Sequence, residues 1–298
     1  MGRIEYNESM FLLAPHQITA HPKYFLGVFP PFMRPYMELI RLEKPTGTVL
    51  MFWPFAWGLT MAAFRIGLPC KEYILGLIKF FIAAFILRSS ACTVNDIVDR
   101  EMDAGVSRTQ SRPLASGRVS VRSALIFLLV QYSVGISFFH LVTEGIALWA
   151  ALFQLLPMFI IYPFLKRYTH WPQAWLGFAM NFGVITAWSA TTGSIPILLT
   201  FTLLAACWCW TMLYDTIYAC QDIKDDVKMG VRSTAILFGS WIRPLLILVG
   251  VFFLALLAVS GHLNGQSWIF YIVSVGELLE KFHSKRSLGM DTMDWTGP

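Results

Sequence analysis

The sequence predicts an all-α, polytopic membrane protein, and three observations carry that prediction. Hydrophobic residues fill 56% of the 298 positions and charged residues only 14%, against about 25% charged in ordinary globular domains. Apolar runs recur near 48–64, 73–92, 123–141, 145–165, 174–191, 195–214 and 244–260, each close to the ~17–25 residues that cross a hydrocarbon core as a helix. Lysine and arginine gather in 1–45, 93–122, 166–167 and 215–243, while the alternate loops before the last apolar run hold only Arg65 and Lys71. That asymmetry follows the positive-inside pattern and predicts a cytosolic N-terminus.

Taken in order, residues 1–45 form a lead-in in which Pro30, Pro31 and Pro35 interrupt helix. Met37 to Leu42 is expected to lie on the membrane surface. The lead-in lacks the continuous apolar core of a secretory leader, and its Glu5, Glu8 and Glu38 do not suit a mitochondrial one. Insertion into the endoplasmic reticulum is therefore the expectation. The membrane domain, 46–276, follows as hairpins with very short outer loops such as Thr143-Glu144 and Thr192-Gly193-Ser194. Seven helices are readable, and an eighth run near 266–276 is too short to span securely. A polar tail, 277–298, closes the chain without another long apolar segment.

Composition excludes some functions. The pI near 9.0 follows from loop topology, and no soluble basic domain exists to hold nucleic acid. The five cysteines (Cys70, Cys92, Cys207, Cys209, Cys220) lack metal-ligand spacing and read as small apolar fillers.

The chemistry lies in two acidic strings where apolar segments run out into basic loops. The first is Asn95-Asp96-Ile97-Val98-Asp99-Arg100-Glu101-Met102-Asp103. The second runs from Asp215 to Asp222-Ile223-Lys224-Asp225-Asp226. They hold seven aspartates of a chain with 18 acidic residues in all. Carboxylates at a bilayer edge repel one another and resist burial, so they mark a cation site or a reaction. Asp96, Asp99 and Asp103, with Asn95, share a helical face by their offsets, and so would Asp215, Asp222 and Asp226 on a continuous helix. Opposed across one pocket, such hard oxygen ligands suit Mg²⁺, which takes one or two carboxylates plus substrate phosphate oxygens. Arg108, Arg112, Lys228 and Arg232 follow the strings, with Arg41, Lys44, Lys166 and Arg167 on the same side, as cations for a phosphorylated ligand. Trp208, Trp210, Tyr214 and Tyr218 read first as interface anchors or core, and otherwise as faces that shield a carbocation.

The strings Asn95-Asp96-x-x-Asp99-x-x-x-Asp103 and Tyr218-Ala219-x-x-Asp222-x-x-Asp225-Asp226 resemble the two signatures of the UbiA-type intramembrane aromatic prenyltransferases. Arg41-Leu42-Glu43-Lys44-Pro45-Thr46-Gly47, Ser111-Arg112-Pro113-Leu114-Ala115-Ser116-Gly117, Tyr162 to Thr169 and Gly230-Val231-Arg232-Ser233-Thr234 also resemble that family. Asp215 to Asp222 is similar to its 4-hydroxybenzoate polyprenyltransferase branch, which includes fungal enzymes acting on polyketide phenolic acids. The resemblance implies a bundle of about nine membrane helices around a central cavity, so the polar tail departs from the pattern. It implies Mg²⁺ and diphosphate held by Asn95, Asp99, Asp103, Asp222 and Asp226, with Asp96 and Asp225 in support. Arg108, Arg112 and Lys228 would contact the diphosphate. Arg41, Lys44, Lys166 and Arg167 are left open between diphosphate and the carboxylate of a phenolic acid.

The implied reaction transfers a prenyl group, farnesyl foremost, from its diphosphate to a ring carbon of an orsellinic-type phenolic acid in meroterpenoid metabolism. The alternative is 4-hydroxybenzoate prenylation for ubiquinone. A transporter or ion pathway would also use intramembrane carboxylates, but no charged residue sits midway in segments three to seven. A lipid phosphatidyltransferase would show an Asp-Gly opening and an Ala-Arg pair that are not found near these strings.

Overall fold

The computed structural model describes residues 26–106, 108–221 and 223–276, with backbone only for Lys224 and Asp225. Asp222 and the tail 277–298 therefore lie outside the described residues, as does most of the lead-in. Every regular element described is helical. A short surface helix, α1 (Arg34–Leu39), precedes α2 (Thr46–Ile66), α3 (Cys70–Ala104), α4 (Val121–Val142) and α5 (Gly145–Tyr168). Then come α6 (Pro172–Asn181), α7 (Gly183–Thr192), α8 (Ile197–Ala219), α9 (Ile223–Met229), α10 (Thr234–Phe238) and α11 (Ile242–Leu263). The run 266–276 ends in a short helix, α12 (Trp268–Phe270), and a wide turn, Tyr271–Gly276.

Among the described residues six helical stretches are long and apolar enough to cross a bilayer, α10 and α11 counting as one of them. The fifth predicted segment, 174–191, is present as two halves, α6 and α7, broken at Phe182-Gly183. A bilayer supplies no water to satisfy the freed backbone groups, so another side chain must. Gln154 does so: its buried amide donates to the Ala179 and Met180 carbonyls at 2.8 and 3.3 Å. Gln154 itself sits on a π turn of α5, Gln154–Met158, where Pro157 cannot donate and the helical ladder widens. Replacing Gln154 by leucine keeps the bulk and leaves two buried carbonyls without their donor. We expect a loss of about 1–3 kcal/mol, read as a lower melting temperature in detergent.

Small residues set the packing, as they must where lipid tails compete with every apolar contact. α2 packs closely on α3 and α7, and α8 on α11 and α6. A Cβ at Gly183 would lie 2.6 Å from the Phe55 ring, and one at Gly177 2.6 Å from Trp208. The main core gathers around Phe55, Leu59, Leu87, Phe139 and Leu155. Helix ends follow local chemistry. α2 stops at Gly67, whose φ of 64° only glycine adopts cheaply. The Ser120 hydroxyl accepts from the Ser123 amide (3.1 Å) to start α4.

α3 is the element that positions the site. Its 35 residues rise about 52 Å at 1.5 Å each, well beyond a core of ~30 Å. The surplus carries the first acidic string out of the apolar layer as continuous helix. The second string behaves differently. α8 ends at Ala219 as its ladder tightens: the Cys220 amide shares the Thr216 and Ile217 carbonyls (3.2 Å each), and Gln221 reaches Tyr218 at 3.1 Å. The expected single helical face of Asp215, Asp222 and Asp226 is thus not formed, since Asp226 lies on the separate helix α9.

Candidate active site

The first string folds as its spacing requires. Asn95 and Asp103 line a cavity, and Asp96, Asp99 and Asp103 are all buried. Each aspartate has a cation. Arg112 bridges two of them, reaching Asp103 Oδ2 at 2.7 Å and Asp96 Oδ1 at 3.3 Å. Lys166, from the end of α5, pairs with Asp99. Arg167 donates to the Val98 carbonyl at 2.7 Å and lies 3.9 Å from Asp99 Oδ1. Arg41 Nη2 meets Asp96 Oδ1 at 2.6 Å. To do so its backbone adopts a φ of 56°, a left-handed conformation that costs a non-glycine residue roughly 1–2 kcal/mol. Burial alone would depress the Arg41 guanidinium, but attraction to Asp96 outweighs it and raises the group above its ordinary value.

The cavity of about 240 Å³ opens where α3, α5 and α8 end. Its lining combines Asp103, Asp215 and Asp226 with Arg108, Arg112, Lys166 and Arg232. Arg108 Nη1 donates to the Tyr218 hydroxyl at 2.6 Å, and its guanidinium carbon lies 5.6 Å from that ring's centroid. The contact ties the loop after the first string to the helix before the second. Arg232 donates to the Tyr168 carbonyl at 2.8 Å, and its amide to the Lys166 carbonyl at 3.0 Å. The structure therefore gathers the two strings, although not through the helical offsets that suggested it.

Not every candidate enters the cavity. Asp96 faces Arg41 and Arg112 as an internal counter-ion. Lys44 is exposed and outside the lining, and Lys228 is exposed on α9. Asp222, and the side chain of Asp225, lie outside the described residues. One functional candidate was missed. Arg88, inside the apolar run of α3, lies within electrostatic reach of Asp215, Tyr162 and Tyr214. Its Nε is buried without a hydrogen-bond partner. The signal was present in the sequence: an ionisable residue inside a membrane run marks function by default.

The donor set is all oxygen. Asp99 Oδ1 is buried without a hydrogen-bond partner, Asp103 adds a carboxylate and Asn95 an amide. That suits a hard divalent cation. No group of three acidic, histidine or cysteine side chains is gathered closely enough among the described residues to cage one. The four lining cations suit a phosphorylated ligand.

A membrane bundle whose cavity gathers acidic and basic side chains at its helix ends has the makings of an intramembrane enzyme for a phosphorylated substrate. Residues 51–284 match the UbiA prenyltransferase family. The chain belongs to that family and is a prenyltransferase. It is 45% identical to the UbiA prenyltransferase claS of Ampulloclitocybe clavipes over 244 residues, covering 82% of this chain and 77% of that one. The mitochondrial 4-hydroxybenzoate polyprenyltransferase of Schizosaccharomyces pombe is 36% identical over 272 residues, covering 88% and 74%. A solved UbiA homolog from Archaeoglobus fulgidus bound to GPP and Mg²⁺ superposes with a TM-score of 0.65 at 19% identity, over 85% of this chain and 87% of that one. At that identity the likeness is one of fold.

Proposed function

We propose that the protein transfers an isoprenyl group, farnesyl foremost, from its diphosphate to a ring carbon of a phenolic acid of the orsellinic type, with Mg²⁺ as cofactor. The observation that carries the proposal is the cavity at the ends of α3, α5 and α8, where Asn95, Asp103, Asp215 and Asp226 meet Arg108, Arg112, Lys166 and Arg232. Asn95, Asp99, Asp103 and Asp226 would hold Mg²⁺, with Asp222 and Asp225 assigned by sequence alone. The metal, when bound, neutralises charge that develops on the leaving diphosphate. Arg108, Arg112, Lys166 and Arg232 grip the phosphate oxygens and stabilise the same charge. The allylic carbon–oxygen bond breaks with its electron pair on the diphosphate, a ring carbon of the acceptor bonds to the allylic carbon, and the ring proton leaves. Asp215, at the cavity wall, is our candidate to accept it. Arg88 is our candidate counter-ion for the acceptor's carboxylate, because its buried Nε lacks a hydrogen-bond partner. Water is kept from the cation by the apolar surroundings.

The basic loops at the cavity end support an opening to the cytosol, and we take the membrane to be that of the endoplasmic reticulum. The mitochondrial 4-hydroxybenzoate enzymes among the relatives favour a second reading, prenylation of 4-hydroxybenzoate for ubiquinone. Membranes carrying the protein, incubated with a panel of prenyl diphosphates and both acceptor types, separate the two by product mass. Prenylated orsellinic-type product that disappears on chelation and returns with Mg²⁺ is the expected result. Product from 4-hydroxybenzoate alone would select the second reading, and chelator-insensitive transfer would overturn the metal assignment.

A further inference from the structure

Beyond Asp215 at the cavity wall, four aromatic rings follow one another in contact into the bundle. Tyr214, beside Asp215 on α8, meets Trp210 edge to face with centroids 4.8 Å apart. Trp210 meets Trp57 of α2 in the same way at 5.0 Å. Trp57 stacks on Trp53 at 6.1 Å, and Trp53 is 42% exposed on the lipid side. Trp208, two residues from Trp210, packs elsewhere. Its Nε1 donates to the Ala174 carbonyl at 2.8 Å and its ring fills the space left by Gly177.

The backbone around the Trp57–Trp210 contact gives it meaning. α2 and α8 are not among the closely packed helix pairs. α2 is held by α3 and α7, and α8 by α6 and α11. At this level two indoles bridge the seam between α2 and α8, while further along it Met61 and Ala62 share a buried cluster with Leu199, Leu203 and Cys207. Leu257 of α11 packs against both buried clusters that these indoles flank. Trp210 lies five residues before Asp215, about 7–8 Å along the helix axis. A tail whose diphosphate sits at the cavity runs from Asp215 and Tyr214 toward this seam.

The geometry points to the Trp57–Trp210 pair as the stop that sets how long an isoprenoid tail the enzyme accepts, an inference that rests on the prenyl-transfer reading above. The seam helices are fixed by their other neighbours, so trimming an indole leaves open volume leading toward lipid rather than a collapsed wall. Short donors end against the rings. Longer ones are refused because their terminal units would have to displace an indole.

The test uses the full chain in membranes, with W57A, W210A, W57F, W210F and the lipid-facing control W149A, Trp149 being 72% exposed. Geranyl, farnesyl, geranylgeranyl and longer diphosphates compete in one reaction with an acceptor that the wild type uses. Each alanine variant is expected to raise the ratio of long to short prenyl product by about tenfold or more, the scale on which an apolar pocket discriminates added carbons. The phenylalanine variants should fall between, and W149A should match the wild type. Should an alanine variant fail to accumulate, its phenylalanine counterpart carries the comparison. Unchanged ratios in active variants would overturn the inference while leaving prenyl transfer intact. So would a wild type that already uses the longest donors as well as the shortest. A wild type that transfers no donor at all instead defeats the underlying functional reading, and this inference with it.

Discussion

Asp99→Asn is expected to lower prenyl transfer about 10²–10³-fold while the protein still folds. The substitution preserves shape and removes one negative charge. Asp99 has a side chain only 1% exposed, and Lys166 and Arg167 converge on it. Losing a group that organises the stabilisation of developing charge costs on that scale. The fold should tolerate it because Lys166, with 20% of its side chain exposed, sits at the cavity rim where water reaches. Lys166→Met is the informative partner. It leaves Asp99 buried with only the more distant Arg167, and breaking a buried pair from that side costs up to about 3–5 kcal/mol. D99N should therefore be stable but inactive, and K166M both inactive and less stable. Adding D99N to K166M should recover part of the lost stability and none of the activity. Product formation in membranes and melting in detergent give the two readouts. Near-normal transfer by D99N would remove Asp99 from the catalytic assignment.

The membrane architecture was legible because its cause is one-dimensional. A run of apolar residues long enough to cross lipid has few alternatives to helix, and α2 to α5, α8 and α11 sit where the runs do. The break at Phe182-Gly183 was not legible, because hydropathy is blind to which turn of a helix a neighbour crowds. Gly183 beside the Phe55 ring and Gly58 beside the Val184 carbonyl are contacts between residues distant in sequence. Asn95 and Asp103 reach the cavity together because α3 runs on as helix to Ala104, so offsets in multiples of four keep their meaning, whereas Asp99 lies outside the lining, paired with Lys166. Asp215, Asp222 and Asp226 would share a face only on a helix that ran on past Ala219, where α8 stops. Arg88 lies inside the run 73–92 rather than in a loop, so the loop asymmetry that orients the chain does not single it out. Trp208 and Trp210 read alike in sequence. Only packing separates the one that fills a glycine notch from the one that meets Trp57.

Gly58→Ala and Gly76→Ala should move stability in opposite directions, although both place alanine in a membrane helix. Alanine gains about 1 kcal/mol over glycine in helix propensity at either position. What differs is the neighbour. At Gly58 the new Cβ would lie 2.6 Å from the Val184 carbonyl oxygen, 3.0 Å from its Cα and 3.2 Å from its carbonyl carbon. These are backbone atoms of α7, and they cannot rotate aside. Relief requires α2 and α7 to separate, and overpacking of this kind costs about 1–3 kcal/mol or more, enough to exceed the propensity gain. At Gly76 the nearest atoms are the Leu59 methyls, at 2.9 and 3.2 Å, the end of a side chain that yields by a few tenths of an ångström more cheaply than backbone does. G58A should therefore melt below the wild type in detergent, and G76A at or above it. G58A should also lose activity, because Trp57 and the α2–α7 contact move with it. Equal melting temperatures for the two variants would mean that α2 and α7 are not held at the spacing the structure gives them.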